Sequence, residues 1–143
     1  MPVNANDATL TGLAAAQTGS MVADTTPNAP ANASFDLILV AAAGSALGSS
    51  GARYTLTISA IDLTAVTPGW PAQTLHQAFD AANGWELSGA GPDYQCTQTV
   101  AVPVPGGGPG GPLAGHTLLC VASLVSQGAQ IASIIHSDPF VLV

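Results

Sequence analysis

The chain contains no lysine and one arginine, Arg53, against eight acidic residues, for a formal net charge of −7. Nucleic-acid binding works by neutralising phosphates with lysine and arginine, and a single arginine cannot do so, which excludes a role in packaging or reading DNA or RNA. The same shortage weighs against an anionic membrane surface, and the absence of lysine removes Schiff-base chemistry. Charge of either sign is scarce: Asp, Glu, Lys and Arg make up 6% of the 143 residues, where a soluble domain ordinarily carries roughly 25%. No apolar run approaches the about 20 residues of a membrane helix; the best, residues 37–43 and 118–125, are far shorter. A membrane barrel calls for dyad strands between aromatic girdles, and aromatics at 5% argue against one. Residues 1–13 have neither the basic start nor the apolar centre of a signal peptide, so synthesis without a secretory signal is expected.

What the chain has in quantity is apolar surface, 48% of its residues, with 16 glycines and 11 prolines to break it into short segments. A small protein normally stays dispersed behind a mixed charged surface. Where that surface is missing, neighbouring subunits are the expected cover.

Residues 1–33 are rich in Ala, Thr, Asn, Gly and Pro and read as an extended N-terminal arm, with Leu10 and Leu13 its first large apolar pair. Residues 34–143 read as one β-sandwich domain. Within it, Tyr54, Leu56, Ile58 and Ala60 alternate with Thr55, Thr57 and Ser59, the period of two of a half-buried strand. Residues 35–40 suit a buried strand, and residues 94–102 alternate again. Residues 67–71, Thr-Pro-Gly-Trp-Pro, read as a turn. Residues 72–90 fit either a short helix ended by Gly84 or a hairpin through Asn83-Gly84 with Trp85 and Leu87 on its return strand, with strand or irregular structure preferred because the rest of the chain is β. Residues 103–115 are a Gly/Pro loop.

The C-terminal part carries a hairpin signal at Gln127-Gly128. With those two as the loop, Leu124 faces Ile131, Ala122 faces Ser133 and Cys120 faces Ile135. The reverse face, with Leu119, Val121, Val125, Ala132 and Ile134, is also apolar, so both faces require a cover. Residues 140–143 add a short apolar strand. The expectation is an all-β, antiparallel sandwich, immunoglobulin-like or jelly-roll-like, of six or seven strands with the arm attached.

Asp93-Tyr94-Gln95-Cys96 resembles the Tyr-x-Cys step of an immunoglobulin strand. In that family the partner cysteine lies upstream with a tryptophan between. Here Cys120 lies downstream and both tryptophans precede the pair, so only the sandwich architecture is retained. Cys96 and Cys120 can form one disulfide or remain two buried thiols, the default in a product kept from oxidising compartments.

No chemistry has motif-grade spacing. His76, His116 and His136 form no ligand pair, the acids are spread without a calcium-loop pattern, and no nucleophile elbow is present. No cofactor or metal is expected. The chain therefore reads as a non-catalytic structural subunit of a larger assembly, a virion decoration or tail protein or a filament subunit, located on a virion or an extracellular assembly surface. Its partners would be copies of itself or a scaffold protein, with no nucleic acid and no membrane insertion. Contact would run through strand addition and through Leu10, Leu13, Leu119, Val121, Val125, Ile134 and Phe140. The alternative is a glycan-binding sandwich that stacks sugars on Trp70 and Trp85.

Overall fold

In a computed structural model, residues 5–27, 34–89, 92–103, 113, 115–127 and 131–141 are described. Nine strands run along them: β1 Ala8–Ala16, β2 Ser34–Ala43, β3 Arg53–Asp62, β4 Thr67–Ala78, β5 Trp85–Leu87, β6 Tyr94–Pro103, β7 Thr117–Ser126, β8 Ala132–His136 and β9 Phe140–Val141. They form two antiparallel sheets. The first has the order β1-β2-β6-β5; the second has the order β4-β3-β7-β8, with β9 pairing β7. The sheets pack face to face as an all-β sandwich, and no helix among the described residues is long and apolar enough to cross a membrane.

Strict alternation sets the core. Phe35, Leu37 and Leu39 from β2, Tyr54, Leu56 and Ile58 from β3, Val100 and Val102 from β6, and Leu118, Cys120, Ala122 and Leu124 from β7 all point between the sheets and are buried. Two aromatic groups close the ends. Phe35, Trp70 and Phe140 meet at one pole, and Tyr54, Phe79 and Trp85 at the other.

An N-terminal arm is not confirmed. Residues 8–16 pair along β2 of their own chain, from Ala8 opposite Ala43 to Ala16 opposite Asp36. Leu10 and Leu13 stand three apart, so simple alternation would place them on opposite faces. A register shift between Leu10 and Gly12 inserts one residue, and such a bulge turns both leucines inward. The next residues double back over the outside of the first sheet: the Gly19 amide donates to Asp36 Oδ2 at 2.8 Å and Ala16 bridges Ala23. Residues 1–4 and 28–33 of the expected arm lie outside the described residues, as do most of the Gly/Pro loop and residues 142–143.

Two other expectations are corrected. Residues 67–71 are not a turn but the start of β4, and the reversal is made by residues 63–66. The prolines fit because β4 pairs only with β3, and an edge strand needs no amide on its open side. Over residues 72–89 the preference for strand holds, with the end of β4, a single 3-10 turn over Ala81–Asn83 and β5, but the hairpin through Asn83-Gly84 does not form. Asp80 caps that turn, and Gly84 ends it at φ 88°, a left-handed conformation that glycine adopts without Cβ strain. The chain there crosses from the second sheet to the first, so Trp85 pairs with Cys96 of β6 and not with β4.

At the end of β3, the buried Asp62 pairs with the half-buried His116 from the segment before β7. Asp62 accepts the amides of Thr64 at 3.0 Å and Ala65 at 3.1 Å, and His116 Nδ1 lies 2.6 Å from its Oδ2. The bond to His116 is the main reason the Asp62 carboxyl ionises below its usual 3.8, assisted by the two amides and opposed by burial. A carboxylate whose folded value is depressed stabilises the fold above the unfolded value and loses that contribution as pH falls through the folded one. Stability should therefore decline below about pH 3.8, and Asp62→Asn should flatten that decline in acid urea titrations. In the β3–β4 turn Val66 is 84% exposed at φ 57°, a left-handed backbone that β-branched residues avoid. Val66→Asn should raise stability by about 1 kcal/mol, read from the shift in urea midpoint at constant m.

Candidate functional site

The outer face of the second sheet carries no acidic side chain in its paired rows. Its side chains follow from the register. One row across the strands reads His76, Thr55, Val125, Ala132; the next Thr74, Thr57, Ser123, Ile134; the next Ser59, Val121, His136; the last pairs Ile61 with Leu119. No carboxylate stands in these rows. Ile134 is 74% exposed, Ile61 39% and Val125 38%, while Leu119 and Val121 are half-buried. Beneath this face lie the leucine and isoleucine rows of the core. At its far edge, β8 is tied to β1 of the other sheet, where Ser133 Oγ accepts the Leu10 amide at 2.9 Å.

The β7–β8 hairpin creates this face in a register two residues from the expected one. Leu124 faces Ser133 and Ala122 faces Ile135, because the connection spans four residues between Ser126 and Ile131 and is closed by Ser126 Oγ accepting the Ile131 amide at 2.9 Å. A shift of two preserves which side chains share a face. Leu119, Val121, Val125 and Ile134 thus lie together on the outside, as the alternation implies.

The other expected contact residues do not join them. Leu10, Leu13 and Phe140 are buried in the chain's own core, Phe140 with its ring 5.3 Å from that of Phe35. Trp70 and Trp85 are 6% and 3% exposed, so neither presents a ring face to a sugar. Trp70 stands edge-on to Phe35 with centroids 5.8 Å apart. Trp85 packs on Phe79 at 5.0 Å and donates its Nε1 proton to the Tyr54 hydroxyl at 3.1 Å. Cys96 and Cys120 are free buried thiols rather than a disulfide. Burial pushes the Cys96 thiol up to about 11 and the Cys120 thiol to about 12, which makes both poor nucleophiles near neutral pH.

At one end of this carboxylate-free face, β4, β3 and β7 leave a groove of about 570 Å³, lined among others by Arg53, Thr55, His76, Gln77, Asn83 and Gln127. Its inner wall is fixed by hydrogen bonds. Tyr54 donates to Gln77 Oε1 at 2.7 Å, and Gln77 and Gln98 exchange amide bonds at 2.9 and 3.1 Å across the two sheets. Sequence patterning carried no sign of this groove, since its residues come from three strands and the corner after β4. Among the described residues, no three His, Cys, Asp or Glu side chains gather to hold a metal. No protein-family model matches the chain, and no curated protein sequence matches it either.

Proposed function

We propose that this protein is a non-catalytic structural subunit that associates with copies of itself through the carboxylate-free outer face of the second sheet. The observation that carries this reading is the charge distribution: a chain of net −7 keeps four strands free of carboxylates on one broad face. Two copies meeting there avoid the like-charge repulsion that any other approach incurs. Serine and threonine hydroxyls among valine and isoleucine suit a self-complementary contact.

The area sets the strength. Four strands at about 4.8 Å spacing, by about 20 Å of strand length, present roughly 400 Å² per copy. A standard stable interface needs about 800 Å² from each partner, so this face alone makes a weak contact. The open edge of β4 supplies a second. Pro68 and Pro71 block its first half, while residues 72–78 offer a proline-free strand edge for main-chain pairing with a neighbour. Weak contacts repeated over many copies suit a virion surface or a filament, in which this subunit would sit away from nucleic acid.

Sedimentation velocity from about 1 to 100 μM is the test. Wild type should associate progressively, and Ile134→Glu should weaken association at least about tenfold, equivalent to about 1.4 kcal/mol, with unchanged thermal stability. A wild-type monomer throughout that range overturns the reading.

A further inference from the structure

We infer that the groove at the Arg53 end of the second sheet binds a small hydroxylated carboxylate, such as an acidic sugar, with Arg53 as the group that holds the anion. Arg53 is the only lysine or arginine in the sequence, and it lines this groove. Among the described residues its guanidinium has no ion pair; the one carboxylate contact of a basic side chain is that of His116 with Asp62, at the end of β3.

Asp80, at the corner after β4, is not among the residues that line the groove, and its Oδ1 accepts the Asn83 amide at 3.0 Å and Asn83 Nδ2 at 2.7 Å in capping the 3-10 turn. The guanidinium is left with its planar fork of donors, whose geometry matches a carboxylate in two parallel bonds.

The rest of the groove favours hydroxyl groups over a bare anion. Its other polar lining residues are uncharged amides and hydroxyls with His76, whose Nδ1 lies 3.5 Å from Thr55 Oγ1. The Tyr54–Gln77–Gln98 bonds hold the inner wall rigid, so little ordering is needed when a ligand enters. A volume of about 570 Å³ falls inside the roughly 300–1,000 Å³ of small-molecule sites. The protein's net negative charge opposes an approaching anion at long range, but salt at about 0.15 M screens charges beyond about 8 Å and leaves the Arg53 contact intact.

The test is a titration of the full chain with glucuronate at about 0.15 M salt, followed by amide chemical shifts and calorimetry. Glucuronate should perturb the amides of Arg53, Thr55, His76 and Gln77 with a dissociation constant on the order of 1 mM. Glucose, which lacks the carboxylate, and acetate, which lacks the hydroxyls, should each bind at least about tenfold more weakly. Arg53→Gln should lose the glucuronate response at least about tenfold, and Arg53→Lys should recover only part of it, because the charge returns without the fork. Arg53 is exposed, so both variants should keep the wild-type spectrum elsewhere. No perturbation at 20-fold that concentration, a response that survives Arg53→Gln, or acetate or glucose binding as tightly as glucuronate would each overturn the inference.

Discussion

Phe35→Ala should destabilise the sandwich by about 3–5 kcal/mol, measured as the shift in urea midpoint with m unchanged. Phe35 is fully buried near the start of β2, opposite Val102 on β6. Its ring is the hub of one aromatic group, edge-on to Trp70 at 5.8 Å and tilted against Phe140 at 5.3 Å. Those contacts join the first sheet to the opening of β4, an edge strand that pairs with β3 alone, and to β9, which among the described residues pairs with β7 through Thr117–Val141 and Leu118–Phe140. Truncation removes the transfer free energy of the ring, leaves a cavity between two flanking aromatics, and loosens β9. The Trp70 emission should shift to the red in the variant's native state. Ile134→Ala, on the exposed outer face, should change stability by no more than about 0.5 kcal/mol. A Phe35→Ala cost below about 1 kcal/mol would mean that this end of the core is not packed as described.

How far such features can be read from sequence depends on how local their causes are. The strand of residues 54–60 and the two faces of the C-terminal hairpin were legible because a period of two is written residue by residue, and an even slip in register leaves the faces unchanged. The burial of Leu10 and Leu13 was not legible, since a one-residue bulge in β1 reverses what their spacing implies. The prolines at 68 and 71 suggested a turn because their effect depends on whether the strand has a neighbour on its open side, and that is a property of the sheet. That Leu119, Val121, Val125 and Ile134 share one outer face was legible from alternation alone. The burial of Trp70 and Trp85 depends on both sheets. The contact of His116 with Asp62, 54 positions apart, depends on two connections meeting at one pole, and the Arg53 groove on strands β4, β3 and β7 lying side by side.

Tyr54→Phe should cost about 1–3 kcal/mol, a large effect for the loss of one oxygen. The hydroxyl is both acceptor and donor in a chain that crosses the sandwich. It accepts the Trp85 Nε1 proton at 3.1 Å and donates to Gln77 Oε1 at 2.7 Å, and Gln77 is paired with Gln98 of the opposite sheet. In the phenylalanine variant Gln77 Oε1 keeps its bond from Gln98, but the indole proton of Trp85 has no substitute acceptor in a buried position, and an unmet buried donor costs more than the bond itself was worth. Gln77→Leu removes the other arm of the same chain and leaves the Gln98 amide unpaired. The two substitutions share partners, so the double variant should depart from additivity by about 0.5–3 kcal/mol; an additive pair would show that the hydroxyl does not link the sheets. The alkaline limb gives an independent check. Burial, partly offset by the bond from Trp85, pushes the Tyr54 phenol up to about 12. A group that holds its proton more tightly when folded stabilises fully below its unfolded value and loses that contribution as pH rises through the folded one. Wild-type stability should therefore fall between about pH 10 and about pH 12, and Tyr54→Phe should remove this part of the fall while leaving the acid limb set by Asp62 in place.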